Sequence, residues 1–175
     1  VYDVGALGGV SYKGLTLERR EGNPPPRIVE TASGILNAVG LQNPGLEAFL
    51  RDIVPTFARQ STCHIVNVAG GCTEDYVATV RAVSAQPLVD MVELNVSCPN
   101  VKAGGAVFGA NPASVREITA AAKAVCQKPL MVKLSPAVED IAAVAKAAEA
   151  AGADCISLIN TIPGMAIDAR TRRPI

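Results

Sequence analysis

Short runs of β-branched and other apolar residues alternate along the chain with longer segments of helical character. The short runs predict five strands, at residues 9–13, 65–69, 91–96, 130–134 and 155–160. The longer segments predict helices near residues 45–59, 74–84, 113–126 and 138–150. Strands and helices that alternate in this way are typical of βαβ units, so the pattern predicts an α/β fold with a parallel sheet.

Four of the five predicted strands carry a polar residue near the carboxyl end of the apolar run: Lys13, Asn95, Lys133 and Asn160. A strand of an open, doubly wound sheet is buried on both faces and is expected to be more uniformly apolar. In a (β/α)8 TIM barrel the carboxyl ends of the strands line the active site, so polar residues belong there. The pattern favours the barrel. Five strands in 175 residues amount to part of one, because a complete barrel takes about 250 residues.

The composition of the chain limits the kinds of molecule that it is expected to bind. The chain has 16 basic and 16 acidic side chains and so lacks the basic excess that nucleic acids and anionic membranes require. No apolar run reaches the roughly 18 residues of a membrane span, and we expect one cytoplasmic domain over residues 1–175. The five cysteines include no C-x-x-C pair, and no G-x-G-x-x-G fingerprint follows a strand. The sequence therefore predicts neither a metal site nor a dinucleotide site.

The most specific local signal is the segment 93–100, where a strand ends and an amide, a hydroxyl, a thiol and a second amide follow within one turn. Asn95 and Asn100 are suited to hold a planar polar ligand, and Cys98 to act as a base or nucleophile. The same letters also fit a strand end followed by a Pro–Asn turn with a buried, inert cysteine.

Lys13 and Lys133 each end an apolar strand. A single lysine in this place is typical of a snorkelling side chain. Two cations that converge beside Asn residues suit an anionic, electron-accepting group, such as a reduced flavin ring or a substrate carboxylate. Lys133 is also a candidate for the amine of a Schiff-base enzyme. The stretch 16–43, predicted as an unusually long loop, contains Asn37 and is expected to fold across the carboxyl ends of the strands.

Taken together and in this order, these motifs resemble the class 1 dihydroorotate dehydrogenases, which are FMN-containing (β/α)8 barrels of pyrimidine synthesis. The stretch 37–45 is similar to the substrate loop of the NAD-linked subclass. The other segments that carry the resemblance are Lys13 with residues 20–27 after it, residues 95–100, residues 132–134 and residues 159–161.

The resemblance implies oxidation of dihydroorotate to orotate on the route to UMP. Cys98 would be the general base that takes a C5 proton while hydride passes from C6 to flavin N5. The residues implied to bind the substrate are Lys13, Asn37, Val39, Gly40, Leu41, Asn95, Asn100, Asn160 and Thr161. Those implied to bind FMN are Lys13, Gly14, Asn67, Asn95, Lys133 and Ile159.

The resemblance also implies a homodimer that is paired with a second subunit carrying FAD and a 2Fe–2S iron–sulfur cluster. The family's first strand and its last two strands are expected to lie outside this sequence. The last two are the ones whose Gly-rich loops hold the FMN phosphate in the family. Three alternatives stay open. They are a dihydropyrimidine dehydrogenase-like reductase with the same Asn and Cys pattern, a Schiff-base lyase or aldolase that uses Lys133, and a truncated barrel that binds nothing alone.

Overall fold

Five parallel strands form the main sheet of the structure, a computed structural model that describes residues 3–97 and 108–175. In chain order they are β1 (Gly9–Ser11), β2 (Cys63–Val68), β3 (Met91–Asn95), β4 (Leu130–Lys133) and β5 (Cys155–Ser157). Each strand pairs in parallel with the next one along the chain. Each also overlaps one of the five predicted strands. The predicted α/β class with a parallel sheet is therefore confirmed.

Helices occupy the connections between these strands. The regular helices are α1 (Thr73–Ser84), α2 (Pro112–Lys123) and α3 (Ile141–Ala150). Between β1 and β2 a helical segment has three consecutive parts, the α-helical turn Leu46–Ala48, the π-helix Phe49–Ile53 and the 3-10 helix Val54–Arg59. Each helix predicted from the sequence is present. In the described ranges, no helix combines the length and the apolar character that crossing a membrane needs.

The core lies between the helices and one face of the sheet. Because successive strand residues point to opposite faces, alternate positions of β2, β3 and β4 are turned toward the helices. These positions are fully buried and hold Val66, Val68, Val92, Leu94, Leu130 and Val132. They pack in one cluster with Val80 of α1, Ile118 of α2 and Val144 of α3. The other face of the same strands is left for Asn67, Glu93 and Lys133.

This second face is concave. Ser11 of β1 and Ser157 of β5, on the two edge strands, both donate to the carboxylate of Glu93 on the central strand, at 2.8 and 2.7 Å. In a flat sheet the edge strands would lie about 19 Å apart, at about 4.8 Å per strand interval. Both hydroxyls reach one carboxylate only if the sheet curls around it. The structure is thus a curled parallel sheet with helices on its convex side, consistent with part of an α/β barrel.

A β-hairpin corrects the prediction of an irregular loop between residues 16 and 43. The strands Ile28–Thr31 and Gly34–Asn37 pair in antiparallel fashion across a two-residue connection. The hydroxyl of Thr31 donates to the carbonyl of Gly34 at 3.0 Å and closes the turn. Both strands are short and largely exposed, so they carry too little apolar alternation for the sequence pattern to reveal them.

Candidate active site

Polar side chains from several strands meet at the carboxyl edge of the sheet. Asn95 ends β3 and is the register partner of Lys133, which ends β4. Asn160, three residues after β5, donates from its Nδ2 to the Oδ1 of Asn95 at 3.4 Å. Lys13, two residues after β1, is close enough to Lys133 to act on it electrostatically. The structure therefore brings the four polar strand ends that the sequence singles out to one edge.

Asn95 has a hydrogen-bond donor to offer a ligand. Its Oδ1 accepts from the backbone N–H of Ser97 at 3.2 Å and from Asn160. Its backbone carbonyl accepts from the hydroxyl of Tyr76 at 2.7 Å, which fixes the end of β3 against α1. Among the described residues, none accepts a hydrogen bond from the Asn95 Nδ2. The amide is thus oriented through its oxygen, while its nitrogen remains available.

Lys133 is a cation that has lost part of its hydration. Burial lowers the pKa of its ammonium group below the usual value. The negative charge of Glu93 raises this pKa, and the positive charge of Lys13 lowers it further. An anionic ligand at this edge would stabilise the charged form of Lys133, because it would replace the hydration that burial has removed.

Glu93 occupies the centre of the concave face, and the residue is only 6% exposed. Its Oε2 accepts from the hydroxyl of Ser11 at 2.8 Å and from the Nδ2 of Asn67 at 2.6 Å. Its Oε1 accepts from the hydroxyl of Ser157 at 2.7 Å. The sequence pattern alone indicates no role for Glu93 or for either serine. The available signal was a charged residue in the middle of an apolar run, since a buried carboxylate requires partners.

The loop that follows the hairpin is anchored by Asn43, which lies in the predicted substrate loop but was given no role of its own there. The Oδ1 of Asn43 accepts from the backbone N–H groups of Thr16 and Gly45, at 3.1 and 3.0 Å. Its Nδ2 donates to the hydroxyl of Thr16 at 2.8 Å and to the carbonyl of Leu41 at 2.9 Å. One buried amide therefore joins the loop to the chain that leaves β1.

Leu41 lies against Gly14 at this junction. Its backbone has a φ of +58°, in the left-handed region. A Cβ atom at Gly14 would lie 2.8 Å from the Cδ1 of Leu41 and 3.0 Å from the Oδ1 of Asn67. Gly14 is needed here because its missing side chain makes room for this approach. Three predicted ligand-binding residues, Gly14, Leu41 and Asn67, are thus in one cluster beside Glu93.

The rest of the predicted substrate loop packs on the chain before the hairpin. The carbonyl of Val39 accepts from the backbone N–H of Asn23 at 3.0 Å. Gly40 has a φ of +76° and lies so close that a Cβ would be 2.8 Å from the nitrogen of Asn23. Asn37 is exposed and lines a cavity of about 210 Å³ between the hairpin and the segment after β5. In the described part of the chain, no hydrogen bond joins Asn37 to the polar strand ends.

The remaining predicted site residues fall in two groups. Ile159 and Thr161 flank Asn160 and are exposed, and the N–H of Thr161 donates to the Oδ1 of Asn160 at 2.9 Å. Cys98 and Asn100 lie outside the described residues. The last described residue before them along the chain is Ser97, two positions beyond Asn95.

Fold and site together define an α/β protein with an anion-accepting, amide-lined site at the carboxyl ends of its parallel strands, where such folds bind ligands. The residues fit a flavin, since partly desolvated Lys133, with Lys13 nearby, suits the negative charge of a reduced ring and the Asn95 amide offers a donor. The family model for dihydroorotate dehydrogenase matches residues 1–175. The chain belongs to the dihydroorotate dehydrogenase family, as its motifs indicated.

Curated relatives agree with this assignment. The chain is 53% identical over 173 residues to "Dihydroorotate dehydrogenase B (NAD(+)), catalytic subunit" of Bacteroides fragilis, which covers 99% of this chain and 57% of the relative. The protein of the same name from Alkaliphilus oremlandii is also 53% identical over the same shares of the two chains. That from Enterococcus faecalis is 50% identical over 175 residues, with 99% and 56% covered. The chain thus spans a little over half the length of these relatives.

Proposed function

We propose that this chain belongs to the catalytic subunit of an NAD-linked dihydroorotate dehydrogenase, which oxidises dihydroorotate to orotate in the cytoplasm. The observation that carries the proposal is the partly desolvated ammonium group of Lys133 beside the available amide of Asn95. Dihydroorotate is a cyclic amide that carries a carboxylate, so amides suit its ring and cations suit its carboxylate. The names of the curated relatives support the same reaction.

Substrate binding is proposed to use the amides at the carboxyl edge. Asn95 would donate its Nδ2 to a ring carbonyl, and Asn160 would hold the Asn95 side chain in place through the 3.4 Å contact to Oδ1. Thr161, Asn37 and Asn100 complete the proposed polar set. Val39, Gly40 and Leu41 would cover the ring from the loop, which Asn43 fixes to the end of β1.

The cofactor is proposed to be FMN, which when bound supplies the acceptor for the hydride leaving C6 of dihydroorotate. Lys133 would neutralise negative charge at the cofactor, and Lys13 would reach both cofactor and substrate. The Sγ of Cys98 would accept the proton from C5. A thiol does this at neutral pH only if its pKa is lowered or its ligand assists. Gly14, Asn67 and Ile159 are the other residues proposed to contact FMN.

The proposal extends to the assembly. We propose that residues 1–175 form a single, incomplete FMN-binding domain of a (β/α)8 barrel. The remaining strands of a complete barrel would enclose the site on the side where the curled sheet leaves it open. We propose a homodimer and an electron-transfer subunit with FAD and a 2Fe–2S cluster. The words "catalytic subunit" in the names of the relatives support a separate partner.

The test is an anaerobic comparison of two substrates on the FMN-loaded protein. Dihydroorotate is expected to bleach the flavin absorbance near about 450 nm. Dihydrouracil lacks the carboxylate that would bind Lys13 and is expected to bleach it far more slowly. Faster bleaching by dihydrouracil would replace this proposal with a dihydropyrimidine dehydrogenase-like reductase.

A second candidate function rests on the lowered pKa of Lys133, because desolvated lysines also serve as Schiff-base amines. On that account, borohydride in the presence of a carbonyl substrate would attach the substrate covalently to Lys133. The proposed dehydrogenase predicts no such adduct. Mass spectrometry of the borohydride-treated protein distinguishes the two.

A further inference from the structure

The hydrogen bonds around Glu93 match an ionised carboxylate. Asn67 offers an N–H donor, and the hydroxyls of Ser11 and Ser157 both lie at donor distance from the two carboxylate oxygens. An ionised carboxylate only accepts, whereas a protonated one must find an acceptor for its own hydrogen. The donors come from β1 and β2 on one side of β3 and from β5 on the other, so the carboxylate is held from both sides.

The position of Glu93 in the sheet puts its carboxylate near Lys133. Glu93 and Asn95 are two residues apart on β3 and face the same side, and Asn95 is the register partner of Lys133 on β4. Glu93 and Lys133 are therefore diagonal neighbours on the concave face. Within the described residues, the charged groups that act on Lys133 are Glu93 and Lys13, and only Glu93 is negative.

We propose that Glu93 is a positioning residue that supplies the buried counter-charge for Lys133 and so holds that cation, charged and in place, at the flavin-binding edge. The inference rests on the proposed function and deepens it. Without Glu93, the charged group that still acts on Lys133 among the described residues would be the positive Lys13, and Lys133 would lose its proton more readily. Glu93 has no proposed contact with substrate and would act on the binding edge only through Lys133.

The decisive variant is Glu93→Gln, which removes the charge and keeps the shape. The Gln amide oxygen can accept from Ser11 and Asn67, and the hydroxyl of Ser157 can turn to accept from the amide nitrogen. The readout is the dissociation constant of FMN, measured by flavin fluorescence between pH 6 and about pH 11. Binding should weaken at high pH as Lys133 loses its charge, and in Glu93→Gln this weakening should begin about one pH unit or more lower.

Lys133→Arg makes the test specific, because arginine stays charged throughout this pH range. In the Lys133→Arg background, adding Glu93→Gln should no longer displace the pH profile. The matched control is Glu139→Gln, which removes one exposed negative charge and should leave the profile in place. A displacement that persists with arginine at position 133, or no displacement in Glu93→Gln alone, overturns the proposal.

Two further outcomes are distinguished. A parent protein that binds no FMN overturns the proposed function and this inference with it, whereas a parent that binds FMN with an unchanged profile in Glu93→Gln overturns the inference alone. If Glu93→Gln does not fold, Glu93→Asp carries the test, since it withdraws the charge from Lys133 by one methylene group. The pH profile of FMN binding in Glu93→Asp should move in the same direction by a smaller amount, and an unmoved profile overturns the proposal.

Discussion

Lys133 is the single residue on which flavin binding is expected to depend most. Lys133→Ala should weaken FMN binding about 10- to 100-fold, the equivalent of one lost hydrogen bond to a charged group. The fold should change little, because the side chain is only partly buried and lies on the concave face outside the helix-packed core. The FMN-to-protein ratio after gel filtration and the thermal unfolding midpoint measure the two effects. The exposed Lys146→Ala is the control, and a fully flavinated, active Lys133→Ala would contradict the expectation.

Cys98 is the residue on which the proton transfer is expected to depend. Cys98→Ser replaces a thiol with a hydroxyl, a much weaker base near neutrality, so dihydroorotate should reduce the flavin about 100-fold more slowly or worse. Orotate binding should persist, since the ring is proposed to be held by the amides. Stopped-flow bleaching gives the rate, and an orotate titration gives the affinity. An unchanged rate would remove Cys98 from its proposed role.

Glu93 shows what the sequence can and cannot predict about single residues. Lys133 and Asn95 could be found because each ends an apolar strand, and the carboxyl ends of parallel strands share one edge. The partners of Glu93 could not, since Ser11 and Ser157 are 146 positions apart and meet only because the sheet curls. A pattern along one strand carries no information about the curvature that brings the two edge strands together.

Among the elements of the fold, the loop that ends at Asn43 is expected to be the most sensitive to one substitution. Asn43→Ala leaves the buried N–H groups of Thr16 and Gly45 without their acceptor, which should cost about 2–4 kcal/mol of unfolding free energy. Because the loop carries Leu41, orotate should also bind more weakly. Denaturant unfolding and an orotate titration measure both. Gln42→Ala, at the exposed neighbouring position, should change stability much less, and equal effects of the two would contradict the anchoring role.

The elements themselves were predictable wherever burial imposes a pattern. The central strands and the helices that pack on them are fixed by apolar side chains at alternating or helical spacing, and each appears where the sequence predicts it. The observed strands end up to three residues before the predicted ends, because the last predicted positions leave the hydrogen-bond ladder of the sheet and enter the site. The hairpin formed by Ile28–Thr31 and Gly34–Asn37 escaped prediction, since its strands are largely exposed.

For the whole molecule, the positive character of the site is local. The sequence has equal numbers of acidic and basic side chains, so it has no net charge with which to attract an anionic substrate over a distance. Among the described charged groups at the site, Lys13, Lys133 and Glu93 sum to one positive charge. We therefore propose that dihydroorotate is captured at the edge of the sheet, where Lys133 is partly desolvated.

The most direct test of the account counts product against reduced cofactor. The FMN-loaded protein is mixed with excess dihydroorotate in the absence of oxygen and of any other electron acceptor, and orotate is measured by chromatography as the flavin is bleached. The account predicts one orotate for each FMN reduced, because a two-electron oxidation fills one flavin. Bleaching without orotate, or dihydroorotate that leaves the flavin oxidised, would contradict it.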